Sequence, residues 1–222
     1  VYTIASLVNT EYHMDEWGVD VTISACQKGM MVAPGVSFTA ANDKAREAGK
    51  VSTMPRNYWH WHTRRGYIHY TWYRGTGPIN SIFGIREALD MIFEETIEGA
   101  YKRHQRLADA VRAAVSVWGL GGKFELNALL KEQQANGVTT ILIDDAINIE
   151  DLHVLCRDKF NVSLGYGLGK LNGKSFRIGH MGYVNEPMVL GALGCIEAAF
   201  QMLGYDHGKG GVQAAIESLS IS

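Results

Sequence analysis

Ser24-Ala25-Cys26-Gln27-Lys28-Gly29-Met30-Met31-Val32-Ala33-Pro34-Gly35 sets a single lysine between two segments of opposite character. Ahead of it runs an apolar, β-prone stretch carrying Val19, Val21 and Ile23. Behind it come Gly, Met and Pro residues of the kind that redirect a chain sharply. The pattern predicts a strand that ends close to Lys28. A lysine at such a position, held by rigid neighbours and partly withdrawn from water, can serve as a nucleophilic amine that forms a Schiff base with a carbonyl. A solvated lysine at a strand end satisfies the same pattern.

Composition bounds the possibilities. The chain has 222 residues, enough for one large domain or two small ones. Its 21 basic and 23 acidic residues leave a formal net charge of -2, so no polyanion-binding surface and no nucleic-acid partner is expected. Hydrophobic residues at 46% and charged residues at 20% are ordinary for a soluble globular protein. No apolar run approaches the length of a membrane span, and the first residues lack the order of a signal peptide, so a cytoplasmic protein without a membrane partner is expected. Cys26, Cys156 and Cys195 are widely spaced and form no metal-ligand pattern, which fits reduced thiols.

Local patterns place the elements. Val1-Tyr2-Thr3-Ile4-Ala5-Ser6-Leu7 is a β-prone run with no leader before it. Val36 to Ala40 reads as a strand leading into the helix-prone segment Asn42 to Gly49. Ile82, Ile85, Leu89, Ile92, Ala100, Leu107 and Val111 recur at spacings of three and four, which predicts one long amphipathic helix from Ser81 toward Val117, closed by Gly119, Gly121 and Gly122. Val138 to Ile143 is a strand, Ile149 to Phe160 a helix capped by Asn148, and Asn161 to Leu164 a short strand. Gly165 to Lys170 fails as a phosphate loop, because no Ser or Thr follows the lysine. Arg177 sits between Phe176 and Ile178 in a strand, so its guanidinium faces away from theirs and can clamp a carboxylate. Pro187 opens a helix whose buried stripe is Val189, Leu193, Ile196, Phe200 and Leu203. A last short helix carries Val212, Ile216 and Leu219.

Residues 55 to 76 interleave aromatics (Tyr58, Trp59, Trp61, Tyr67, Tyr70, Trp72, Tyr73) with His60, His62, Arg64, Arg65, His69 and Arg74. Such a pattern suits a single-stranded nucleic-acid platform, and His60 with His62 could share a metal, but the near-neutral charge opposes the first and no carboxylate or cysteine completes the second. Aromatic side chains used for packing are the simpler account. At the end of the segment, Thr76 or Asn80 is placed to cap the following helix.

The motifs together resemble the class V aminotransferases of the pyridoxal-phosphate fold type I superfamily, in the alanine-glyoxylate and serine-glyoxylate branch. The resemblance runs through Met14-Asp15-Glu16-Trp17-Gly18-Val19-Asp20, Ser24 to Gly29, Phe83-Gly84-Ile85-Arg86-Glu87-Ala88-Leu89-Asp90 and Phe176-Arg177-Ile178-Gly179-His180-Met181-Gly182, which is nearly the whole chain in order. It implies an α/β fold comprising the C-terminal part of such an enzyme. Residues 1–80 would be the end of the cofactor-binding large domain, 81–117 a linking helix and 118–222 the small α/β domain. A preceding segment, or a separate N-terminal chain, would complete it.

The resemblance also implies roles. Lys28 would be the catalytic lysine, forming the internal aldimine with pyridoxal 5'-phosphate. Tyr2 stands where the family has an aspartate that pairs with the pyridine nitrogen, and a phenol, neutral near pH 7, does not supply that charge. Ile4 would lie against the ring face. Gln27, and Tyr73 with Thr76 reaching across a homodimer interface, would hold the phosphate, since their hydroxyl and amide N–H groups donate hydrogen bonds. Arg177 would grip the α-carboxylate of the substrate. The implied reaction moves an amino group between a small amino acid and a keto acid such as glyoxylate or pyruvate. The alternative is a truncated, non-catalytic relative that dimerises or binds a partner.

Overall fold

The alternation of hydroxyl and apolar side chains along Thr22-Ile23-Ser24-Ala25 sets up the first strand of the structure. This computed structural model describes residues 1–221, which divide into two units: Val1–Leu7 with Glu11–Thr96, and Val8–Thr10 with the chain from Ile97 onward. Each is taken by itself.

In the first unit, β1 (Val21–Ala25) and β2 (Ser37–Ala41) form an antiparallel pair with Ile23 opposite Thr39. The opening run is not a strand of its own. Tyr2 makes one isolated parallel bridge to Ile23, and the chain then turns, with the Ser6 and Leu7 amides donating back to the Thr3 carbonyl. The burial along β1 is inverted from the usual order: Thr22 and Ser24 are buried while Ile23 is 44% exposed. The hydroxyls tolerate burial because they are bonded, Thr22 to the Tyr12 phenol and Ser24 to the Thr3 carbonyl. α1 (Asp43–Val51) starts at Asn42, whose side chain accepts from the Ala45 amide at 2.9 Å. After a 3₁₀ turn (Trp61–Arg64) come α2 (His69–Tyr73) and α3 (Ile79–Glu95), whose buried residues are Ala88 and Ile92.

The single helix expected over 81–117 is in fact two. α3 ends at Glu95, Thr96 takes φ +72°, and α4 (Ile97–Trp118) begins at the next residue. A β-branched residue avoids that region of φ, and threonine favours helix ends over helix interiors, so the break is local to Thr96 even though the apolar spacing continues through it.

The second unit is built on α4, β3 (Phe124–Leu126), β4 (Val138–Ile143), α5 (Ile149–Phe160), β5 (Gly165–Tyr166), β6 (Ser175–Gly179), α6 (Glu186–Leu203) and α7 (Gly211–Ile221). Its antiparallel sheet runs β3-β4-β6-β5. α5 starts at the predicted cap Asn148. The strand predicted at Asn161 to Leu164 is absent, because Asn161 adopts the left-handed conformation that ends α5 and strand pairing resumes only at Gly165. The helices pack an aromatic cluster against the sheet: Phe200 stacks on Phe124 at 4.3 Å between centroids and meets Trp118 edge-on at 5.1 Å. Leu107, Val111 and Val115 of α4, spaced by four, join Leu193 and Ile196 of α6 in this core, each burial of such a side chain stabilising by about 1.5–3 kcal/mol.

One sequence expectation changes here. α6, 18 residues with mean hydropathy 1.2, is long and apolar enough by length and composition to cross a membrane. Its side chains Val189, Leu193, Ile196, Ala199 and Phe200 are buried in the core. Ile216 of α7 is exposed, while Val212 and Leu219 pack on the core. Glu197 of α6 ties the start of α7 in place, accepting from the Trp118 indole and from the Gly210 and Val212 amides.

At the end of β6 two buried histidines fix the backbone. His180 Nδ1–H donates to the Asn136 carbonyl at 2.8 Å, leaving Nε2 to accept from the Thr139 hydroxyl at 2.9 Å. His104 Nε2 accepts from the Gly182 amide at 3.0 Å. Burial pushes the His180 imidazole down to about 4, the nearby Asn136 carbonyl only partly opposing it. The unfolded chain therefore binds a proton at His180 near pH 6.5 that the folded chain refuses. Stability is fully present above that pH and falls as pH drops toward about 4, by an amount on the order of 3 kcal/mol. A His180→Gln variant is expected to be less stable at pH 7 and to show a flatter decline on acidification, both measured by urea unfolding followed by circular dichroism. An unchanged acid slope would remove His180 as its source.

Candidate functional site

Lys28 lies in the short turn that follows β1, and the turn is pinned by its buried neighbour. Cys26 donates its amide to Val36 O at 3.1 Å, accepts at its own carbonyl from Val32 N at 3.0 Å, and directs its thiol to Ala33 O at 3.1 Å. The Met31 amide closes the inner turn on the Lys28 carbonyl at 2.8 Å, with Met31 at φ +53°. Gly29 and Met30 are buried, Lys28 is half-buried and Gln27 is exposed. Among the described residues no side chain or carbonyl engages the Lys28 amine. A primary amine on a rigid turn, free of a competing ion pair, is available to a carbonyl.

The other predicted residues of the first unit have less support around them. Tyr2 is 70% exposed at its bridge to Ile23, and Ile4 is half-buried in the turn that follows. Tyr2 and Ile23, directly paired, project on the same side of the strands. Tyr73 closes α2, with Arg74 left-handed after it, and both Tyr73 and Thr76 are exposed. Neither Thr76 nor Asn80 caps α3, whose cap position is Pro78 and carries no side-chain cap bond. Thr76 therefore keeps its hydroxyl out of the helix.

Arg177, in the second unit, occupies an interior strand. β6 lies between β4 and β5, with Arg177 opposite Thr140 on one side and Gly165 on the other. Its Nε–H donates to the Tyr166 carbonyl at 2.7 Å, which holds the guanidinium while its two terminal nitrogens have no partner among the described residues. Gly165 leaves the room: a Cβ there would stand 3.2 Å from Arg177 Cβ and 3.4 Å from Nε. An arginine tethered through Nε presents the remaining edge of its fork for a bidentate carboxylate. Arg177 stands in the strand predicted for it, whereas Gly165, His104 and His180 were not among the predicted site residues. The Arg-Ile-Gly-His-Met-Gly segment held the signal for His180, a histidine close after an apolar strand, but its partners lie 41 and 44 residues away.

No protein-family profile matches the chain. Serine–glyoxylate aminotransferase from Arabidopsis thaliana is 38% identical over 215 residues, covering 96% of this chain and 52% of the relative. L-aspartate–glyoxylate aminotransferase from Paracoccus denitrificans is 32% identical over 221 residues, covering 96% of this chain and 53% of the relative. Among solved structures, ureidoglycine-glyoxylate aminotransferase from Bacillus subtilis superposes with a TM-score of 0.87 at 23% identity, over 99% of this chain and 57% of that one, a likeness of fold. The chain thus spans about half the length of the curated relatives it matches, and nearly all of it takes part in the match. Its α/β architecture is that of the aminotransferase neighbours, and the chain is a homologue of the class V glyoxylate aminotransferases over about half the length of each.

Proposed function

We propose that this chain supplies the lysine and the carboxylate-binding arginine of a pyridoxal-phosphate-dependent transamination between a small amino acid and a keto acid such as glyoxylate or pyruvate. The observation that carries the reading is the unpartnered amine of Lys28, held on a turn locked by buried Cys26, in a chain homologous to glyoxylate aminotransferases. Lys28 fits an aldehyde-bearing cofactor, since its amine has no bond to give up. When bound, the cofactor draws electrons away from the substrate α-carbon. Lys28 Nζ would take and return the proton at the substrate α-carbon. Gln27 offers its amide to the phosphate, and in a cytoplasmic homodimer the exposed hydroxyls of Tyr73 and Thr76 in one copy serve the phosphate of the other. Ile4 supplies an apolar shelf for the ring. Arg177 holds the substrate carboxylate through its two free terminal nitrogens.

One residue favours a second reading. Tyr2 offers a phenol where the ring nitrogen calls for a carboxylate, so a neutral partner replaces a charged one and the ring is a poorer electron sink. A non-catalytic relative that keeps a reactive lysine and dimerises accounts for that substitution.

The protein mixed with pyridoxal phosphate and reduced with borohydride is expected to carry the label on Lys28 and to show absorbance near the visible before reduction. Lys28→Ala should abolish both, and an unchanged spectrum in that variant would remove the assignment. Label together with amino transfer to glyoxylate supports the enzyme, whereas label without turnover supports the second reading. Gly165→Ala, by crowding the Arg177 side chain, is expected to raise KM for the acid substrates about tenfold with little change in kcat. A fall in kcat alone would show that Arg177 does not hold the ground-state carboxylate.

A further inference from the structure

The first unit contains a cavity of ≈ 380 Å³ that the proposed transamination does not use. Its floor is one face of β2, where the period of two brings the Ser37 and Thr39 hydroxyls to the same side. Its walls are Arg46 of α1 and the segment around the Trp61–Arg64 turn, which adds Trp59, Trp61, Arg64 and Arg65. In a 3₁₀ turn residues i and i+3 eclipse, so Trp61 and Arg64 project together. His62 Nε2, 3.3 Å from the Arg46 carbonyl, ties that turn to α1 and makes the two walls one piece.

The charge of the lining is of one sign. Three guanidiniums contribute to it and no carboxylate does. Arg46 is partly compensated by Asp43 at 3.2 Å, outside the lining. Arg65 is exposed and has no partner among the described residues. Arg64 is half-buried and has no acceptor among the described residues, its Nε and Nη2 being shut off from solvent. Arg64 Cζ lies over the Tyr58 ring, 4.3 Å from its centroid, a cation–π contact that takes none of the N–H groups. A guanidinium with no carboxylate partner is stabilised by an anion brought beside it.

The acceptor's chemistry follows from what surrounds it. Two uncompensated guanidiniums, a third half-compensated, and two hydroxyl donors match a dianion with several oxygens better than a single carboxylate. Trp59 and Trp61 add flat indole walls on which a planar ring can stack. We propose that this cavity binds a phosphate monoester carried on a planar ring, with Arg64 and Arg65 on the phosphate and the Trp59 and Trp61 indoles against the ring. The overall charge of -2 conceals the site, because Arg64 and Arg65 are adjacent in one short segment and Arg46 joins them only through the fold.

Adenosine monophosphate is the probe, titrated into the whole chain and followed by calorimetry and by quenching of tryptophan fluorescence. It carries no aldehyde and cannot react with Lys28, so this test stands apart from the transamination reading, and Lys28→Ala should leave the binding unchanged. The expected result is binding at least tenfold tighter than that of adenosine, inorganic phosphate or malonate, weakening as salt rises. Arg64→Gln and Arg65→Gln should each lower the affinity tenfold or more. Arg65 is exposed, so its variant reads binding without disturbing the fold, and circular dichroism reports whether the Arg64 variant is folded. Equal binding of adenosine, equal binding of malonate, no binding at all, or an Arg65→Gln variant that binds as well as the parent would each overturn the proposal.

Discussion

Cys26 holds the first unit in the form that makes its chemistry conceivable. One fully buried residue uses its amide, its carbonyl and its thiol to bind three points of the same loop, Val36, Val32 and Ala33. The loop between Cys26 and Val32 has therefore little freedom, and Lys28 rides on it with its amine outside that network. A flexible loop would lose conformational entropy each time the amine was presented; here that cost has been met in folding. The inverted burial of β1 belongs to the same arrangement. Bonded hydroxyls face inward and Ile23 faces outward beside Tyr2.

The second unit reaches the same end by different means. Its core is apolar and aromatic, and the sheet it supports places Arg177 on an interior strand, tethered through Nε and given space by Gly165. The backbone just beyond Arg177 is then stapled by His180 and His104, each with both ring nitrogens engaged. These histidines are buried polar groups in which every lone pair and proton has a partner, a condition that raises rigidity without leaving an orphan. Arg64 presents the opposite case, with buried donors and no acceptor among the described residues.

How much of the site could be read from the residues depends on how far apart the interacting groups lie. Lys28 was visible because strand, glycine and proline signals converge within a dozen residues. Arg177 was visible because alternation across Phe176, Arg177 and Ile178 assigns faces without knowledge of neighbours. The free terminal nitrogens of Arg177 were not visible, since they depend on the pairing of β5 with β6 and on a glycine twelve residues earlier. The cavity beside β2 was likewise hidden: the aromatic and basic segment was plain in the sequence, but its closure over Ser37 and Thr39 was not.

The amino-acid sequence by itself determined what short-range chemistry controls. Asn42 and Asn148 start helices because a side-chain oxygen satisfies an amide two or three residues on, Pro187 sits in the first turn of α6, and the Val138 to Ile143 strand follows from its apolar content. Only the tertiary structure decided that the helix period breaks at Thr96, that Val1 to Leu7 bridges and turns without forming a strand, and that Ile23 points outward. In each case the competing local preferences were close in energy, and contacts between residues distant in the chain chose between them.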